Sequence, residues 1–78
     1  MKLTLDQLPI GKGARIAEVL GSGDSITRLM EMGLVAGSMV KVERMSPFGC
    51  PIAIRLKGTS IAIRRHDAQK VILELQPA

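Results

Sequence analysis

Seventy-eight residues, 46% hydrophobic and 23% charged, make a chain apolar enough to bury a core and too apolar to stay disordered. The single cysteine, Cys50, excludes an internal disulfide, and no apolar run is long enough for a signal core or a membrane span, which points to the reducing cytoplasm. A net charge of +4 invites a nucleic-acid partner, but the eleven Lys and Arg are scattered and Phe48 is the one aromatic side chain, so platforms for stacking bases are missing.

Leu5, Leu8, Pro9 and Ile10 form a short apolar stretch that ends at Gly11 and Gly13. Residues 14–20 read as the first strand. Ile16 and Val19 cannot share a face at a period of two, so a bulge is expected near Ala17 and Glu18. Gly21, Ser22 and Gly23 make a turn, after which Asp24 or Ser25 can cap a helix over residues 25–32. Leu29, Met30, Gly33 and Leu34 follow helical spacing, which places Met30 in the core and Gly33 at the left-handed helix end. Gly37 marks a second sharp turn.

From Met39 to Met45 the period drops to two, with Val40 and Val42 inward and Lys41 and Glu43 outward. Ser46-Pro47-Phe48-Gly49-Cys50-Pro51 follows, a loop stiffened by two prolines. Ile52, Ile54 and Leu56 alternate with outward Ala53, Arg55 and Lys57, and Gly58-Thr59 fits a hairpin connection into a strand with Ile61 and Ile63 inward. Residues 65–70 read as one helical turn, and Val71, Leu73 and Leu75 close the chain on a last strand. Five short strands and one short helix in a single domain over residues 1–78 suggest a mainly β, SH3-like barrel, since closing a sheet removes its exposed edges.

Chemistry finds few candidates. One histidine and one cysteine supply no acid, base and nucleophile set, and Asp67 next to His66 is badly placed to orient it. No catalytic residue is assigned. A transition-metal site collects three or four donors, so Cys50 and His66 are weak ligand candidates, and the plainer reading makes them a packing residue and a polar helix flank. Met32, Met39 and Met45 fall off the inward faces and together could form an adaptable apolar contact patch.

The order and spacing of these features resemble the FeoA family. The resemblance is carried by Leu5, Leu8 and Gly11 before Ala14-Arg15-Ile16, by Arg28-Leu29 through Met32-Gly33-Leu34 to Gly37 and Val40, by Pro47, Gly49 and Pro51, and by Gly58, Ile63-Arg64, Ala68 and Val71. It implies a five-stranded SH3-like barrel with one inserted helix and a non-catalytic role in ferrous iron uptake, beside the FeoB membrane GTPase permease. Similar domains end DtxR-type metal-dependent repressors, and these 78 residues contain no helix-turn-helix segment, so a repressor is not the expectation. Relatives often place an acidic residue where Cys50 stands.

The resulting expectation is a cytoplasmic accessory, working at the inner face of the membrane through its partner, that docks on the cytosolic GTPase region of FeoB. Arg28, Met32, Pro47, Phe48, Gly49, Pro51 and Arg64 are the contact candidates, and Gly33, Gly37 and Gly58 are structural turns. The alternatives are a transition-metal-binding or metal-sensing domain, taking ferrous iron weakly at Cys50 or His66, and a nucleic-acid-binding small barrel. Self-association is left open. Basic charge suits acidic protein surfaces or an anionic membrane face better than nucleic acid.

Overall fold

The computed structural model describes residues 2–48 and 50–75. Six strands form one antiparallel sheet: β1 (Lys2–Thr4), β2 (Gly13–Val19), β3 (Met39–Met45), β4 (Ile52–Leu56), β5 (Thr59–Ile63) and β6 (Val71–Glu74), in the order β1-β6-β2-β3-β4-β5. A 3-10 turn (Leu5–Gln7) follows β1, the helix α1 (Asp24–Glu31) joins β2 to β3, and the one-turn α2 (Arg65–Ala68) joins β5 to β6.

The five expected strands are all present, and β1 is an additional sixth. Three residues are too few to show a period, so β1 exists by pairing with β6, Leu3 opposite Leu73. No pairing joins the edge strands β1 and β5 among the described residues, so the bent sheet is not closed by hydrogen bonds. Instead the 3-10 turn and α2 touch, with Leu5 and Ala68 fully buried and an ion pair at 3.9 Å between the exposed Arg65 and the largely covered Asp6 side chain.

Side chains that alternate inward along the strands, among them Ile16, Val42, Ile54, Ile63 and Leu73, form one core with Leu34. The bulge expected in β2 is present: Ile16 faces Leu73 and Glu18 faces Ile72, leaving Ala17 as the extra residue. A second bulge sits in β3, where Val42 faces Ile54 and Arg44 faces Ala53, so Glu43 is extra. It reverses the alternation and turns Met45 toward the core, against which it packs half-buried. The expected methionine patch therefore does not form. Met39 and Met45 end β3 six residues apart, ~20 Å at strand rise, and Met32 caps α1.

Helix α1 starts at Asp24, one residue earlier than expected, and its N-cap is Gly23 without a side-chain bond. Asp24 inside the first turn cannot cap; its carboxylate complements the free N–H groups electrostatically. Ile26 and Leu29 set the buried face, and that phase leaves Met30 43% exposed rather than in the core. At the C-terminus Gly33 has φ 108°, its N–H bonds Met30 O at 3.0 Å, and Leu34 N–H bonds Leu29 O at 3.0 Å. These paired bonds define a Schellman end, which requires the left-handed residue and delivers Leu34 into the core.

Gly37 N–H then bonds Ile16 O at 2.7 Å, tying the connection to β2. The β4–β5 turn is Lys57-Gly58, with Leu56 paired to Thr59, and not Gly58-Thr59. Both turn residues have positive φ, 52° and 81°, the geometry that matches strand twist in a two-residue hairpin.

Candidate partner-binding face

Ser25, Arg28 and Leu29 lie at helical spacings i, i+3 and i+4, so they share one face of α1. That face meets the end of β5, where Ala62 points out and Ile63 into the core, and then Arg64 and Asp67 as the chain turns into α2. Together they line a shallow cavity of ≈ 160 Å³. Asp67 is the one buried charged residue among those described, 8% exposed. Neither its carboxylate nor the Arg28 or Arg64 guanidinium has a hydrogen bond or ion pair with a described residue.

A second cleft of ≈ 360 Å³ adjoins the first, since Ala62 lines both. Pro47, Pro51, Arg44 and Met45 border it. Ser46 fixes the loop above: its hydroxyl donates to Cys50 O at 2.7 Å and accepts the Phe48 N–H at 3.3 Å, and its own N–H bonds Pro51 O at 3.2 Å. Phe48 is held out at 93% exposure. Cys50 Sγ accepts the Arg65 N–H at 3.5 Å, fastening the loop to α2.

Of the residues singled out from the sequence, Arg28 and Arg64 are thus brought to one cavity, and Pro47 and Pro51 to the neighbouring one. Met32 stands apart at the end of α1, lining neither, and Gly49 lies outside the described residues. Cys50 and His66 are exposed, and no three His, Cys, Asp or Glu side chains converge as a metal site among the described residues. Ser25 and Asp67 were read only as a cap and as a neighbour of His66. The acid isolated in Arg64-Arg65-His66-Asp67 was the available signal.

A larger groove, ≈ 530 Å³, lies at the other end of β3, lined by Leu8, Pro9, Ala14, Met39 and Leu75 with Lys12 and Arg15 beside them. On the outer sheet face Glu43 accepts hydrogen bonds from Ser60 Oγ at 2.6 Å and Arg55 Nε at 2.8 Å. The Ser60 bond, and after it the Arg55 guanidinium, hold the Glu43 carboxyl below its ordinary value. These charges are satisfied, in contrast to those around the small cavity.

Residues 3–75 match the FeoA domain family. In Porphyromonas gingivalis (strain ATCC BAA-308 / W83), the Fe(2+) transport protein A/Fe(2+) transporter FeoB fusion protein is 34% identical over 73 residues, 94% of this chain and 9% of the fusion. Iron(II) transport protein A of Clostridium thermocellum has the same fold with a TM-score of 0.88 at 29% identity, covering 94% of this chain and 45% of that one. FeoA of Stenotrophomonas maltophilia, a procaryotic SH3 domain protein solved as a zinc complex, gives 0.79 at 30% identity, covering 92% of this chain and 89% of that one. This chain therefore spans a small part of the fusion and under half of the C. thermocellum chain. The SH3-like fold, the family match and the relatives agree: the chain belongs to the FeoA domain family.

Proposed function

We propose that this chain works in the cytoplasm, docking on the cytosolic GTPase region of an FeoB permease to modulate ferrous iron transport. The observation that carries the reading is the P. gingivalis fusion, in which a segment 34% identical to this chain is part of one polypeptide with an FeoB transporter. Covalent linkage raises effective concentration and replaces weak association between separate chains. A separate chain must supply the same contact by surface complementarity.

The face bearing the Arg28–Arg64 cavity, the cleft beside Pro47 and Pro51 and the raised Phe48 supports this role. It combines unpaired cations, apolar walls and an exposed aromatic, the usual ingredients of an anchoring patch. No helix among the described residues is long and apolar enough to cross a membrane, and membrane contact is assigned to the partner. The test is sedimentation of the purified chain with membranes from cells that make FeoB and from cells that lack it. Retention on FeoB-containing membranes alone is expected; equal recovery on both would end the docking reading.

A further inference from the structure

We propose that the cavity between α1, β5 and α2 accepts one acidic side chain of the docking partner, its carboxylate held between Arg28 and Arg64 while Asp67 accepts a hydrogen bond from the adjoining peptide. The inference deepens the docking reading and rests on it.

Charge that is left unsatisfied is the first argument. Arg55 pairs with Glu43 at 2.8 Å and Arg65 with Asp6 at 3.9 Å. Arg28 and Arg64 share a cavity with Asp67 and pair neither with it nor with another described residue. Two arginines lining one cavity supply forked donors, which suit a carboxylate better than a point charge would.

Asp67 supplies the second argument and sets the selectivity. Its residue is more than nine-tenths buried, without a donor among the described residues, and it lines the cavity. No partnerless side-chain oxygen is shut off from solvent among the described residues, so the Asp67 carboxylate oxygens face the opening and can accept from an incoming donor. An incoming peptide brings a backbone N–H or a hydroxyl next to its own acidic side chain, so one residue can satisfy the arginines and its neighbour Asp67. A phosphate dianion carries more negative charge and no fixed donor, and Asp67 repels it.

Size agrees. A volume of ≈ 160 Å³ admits a single side chain, not a nucleotide or a helix, and Leu29 and Ile63 add apolar wall beside the charged groups. Ala62 opens the cavity to the cleft of Pro47 and Pro51, where the flanking peptide can lie.

The test measures affinity for full-length FeoB in nanodiscs. Arg28→Glu with Arg64→Glu should weaken binding by about tenfold or more, as truncated or reversed interfacial charges do. Lys12→Glu with Arg15→Glu, the same change of net charge at the Met39 groove, should alter it by less than about twofold, the size of a remote rim effect at high salt. Arg28→Lys with Arg64→Lys keeps the charge and removes the fork; a several-fold loss with an unchanged thermal midpoint guards against a folding artefact. In Asp67→Asn, inorganic phosphate should compete with FeoB, and with the unaltered chain it should compete no better than chloride of equal ionic strength.

Equal weakening by the two reversed pairs, or none by the arginine pair, overturns the inference and leaves docking intact. Competition by phosphate against the unaltered chain overturns it in favour of a phosphate ligand. No binding by the unaltered chain removes the docking reading and this inference with it.

Discussion

The two ends of β3 carry different openings. At Met39 the groove is the larger, ≈ 530 Å³, mostly apolar, and flanked by Lys12 and Arg15. Beyond Met45, across the cleft at Pro47, the cavity of Arg28, Arg64 and Asp67 is about a third of that size, ≈ 160 Å³. Size favours the groove as a binding site, whereas unsatisfied charge favours the cavity. Apolar surface of modest extent is common on a small protein, whereas the cavity sets the open carboxylate of a mostly buried residue beside two unpaired guanidiniums, which gives a ligand specific polar partners.

Both ends rest on the same core, and the largest expected effects should be equal there. Leu8 is 1% exposed under the groove and Ile63 2% exposed under the cavity. Leu8→Ala and Ile63→Ala should each cost about 2–5 kcal/mol in urea unfolding. A cost under ~1 kcal/mol at either would show that the corresponding opening is not built on packed side chains.

The second effect separates the ends. Reversing Arg28 and Arg64 is expected to cost about 1.4 kcal/mol of docking, the equivalent of tenfold, with no comparable loss at Lys12 and Arg15. A smaller contrast concerns the methionines: Met45→Ala should cost about 1 kcal/mol of stability because it packs half-buried on the core, and Met39→Ala under ~0.5 because it is 58% exposed. Equal costs would mean that the β3 bulge does not turn Met45 inward.

The smallest effect lies between the ends, on the outer face. The folded Glu43 carboxyl is depressed by Ser60 and Arg55, while in the unfolded chain it has its ordinary value. Between those values the unfolded state binds more protons, so stability rises with pH there. The contribution is present above the ordinary carboxylate range and disappears as pH falls through the depressed folded value. Thermal midpoints of the unaltered chain and Glu43→Gln should differ slightly at neutral pH and converge in acid; a constant gap would place the effect elsewhere.

Much of the fold was legible because periodicity is local. β3 has the predicted bounds, Ile52, Ile54 and Leu56 point inward as expected, and Gly33 ends α1. The two bulges show the limit. Ile16 and Val19 announced one, and Val42 and Met45 have the same spacing, yet a terminal methionine is a weaker apolar marker than valine and its phase was read as outward. β1 is too short to announce itself and depends on β6, which lies about seventy residues away along the chain at one pairing per strand residue.

The candidate site was legible in its parts. Arg28, Arg64, Pro47 and Pro51 were named from the sequence, but the cavity joins residues 25–29 to residues 62–67, and no local pattern reports contact over that separation. Asp67 acquires its interest from burial, which depends on how α2 sits on the core. Met32 was drawn in by its chemistry, and the helix phase then set it apart from the cavity.

Hydrogen exchange of the chain free and bound to FeoB in nanodiscs tests the central claim most directly. Docking through the small cavity predicts slowed exchange in residues 24–31 and 61–68 and in the loop at 46–48, with residues 8–15 and 39–41 unchanged. Protection confined to the Met39 groove, or none anywhere, would contradict it.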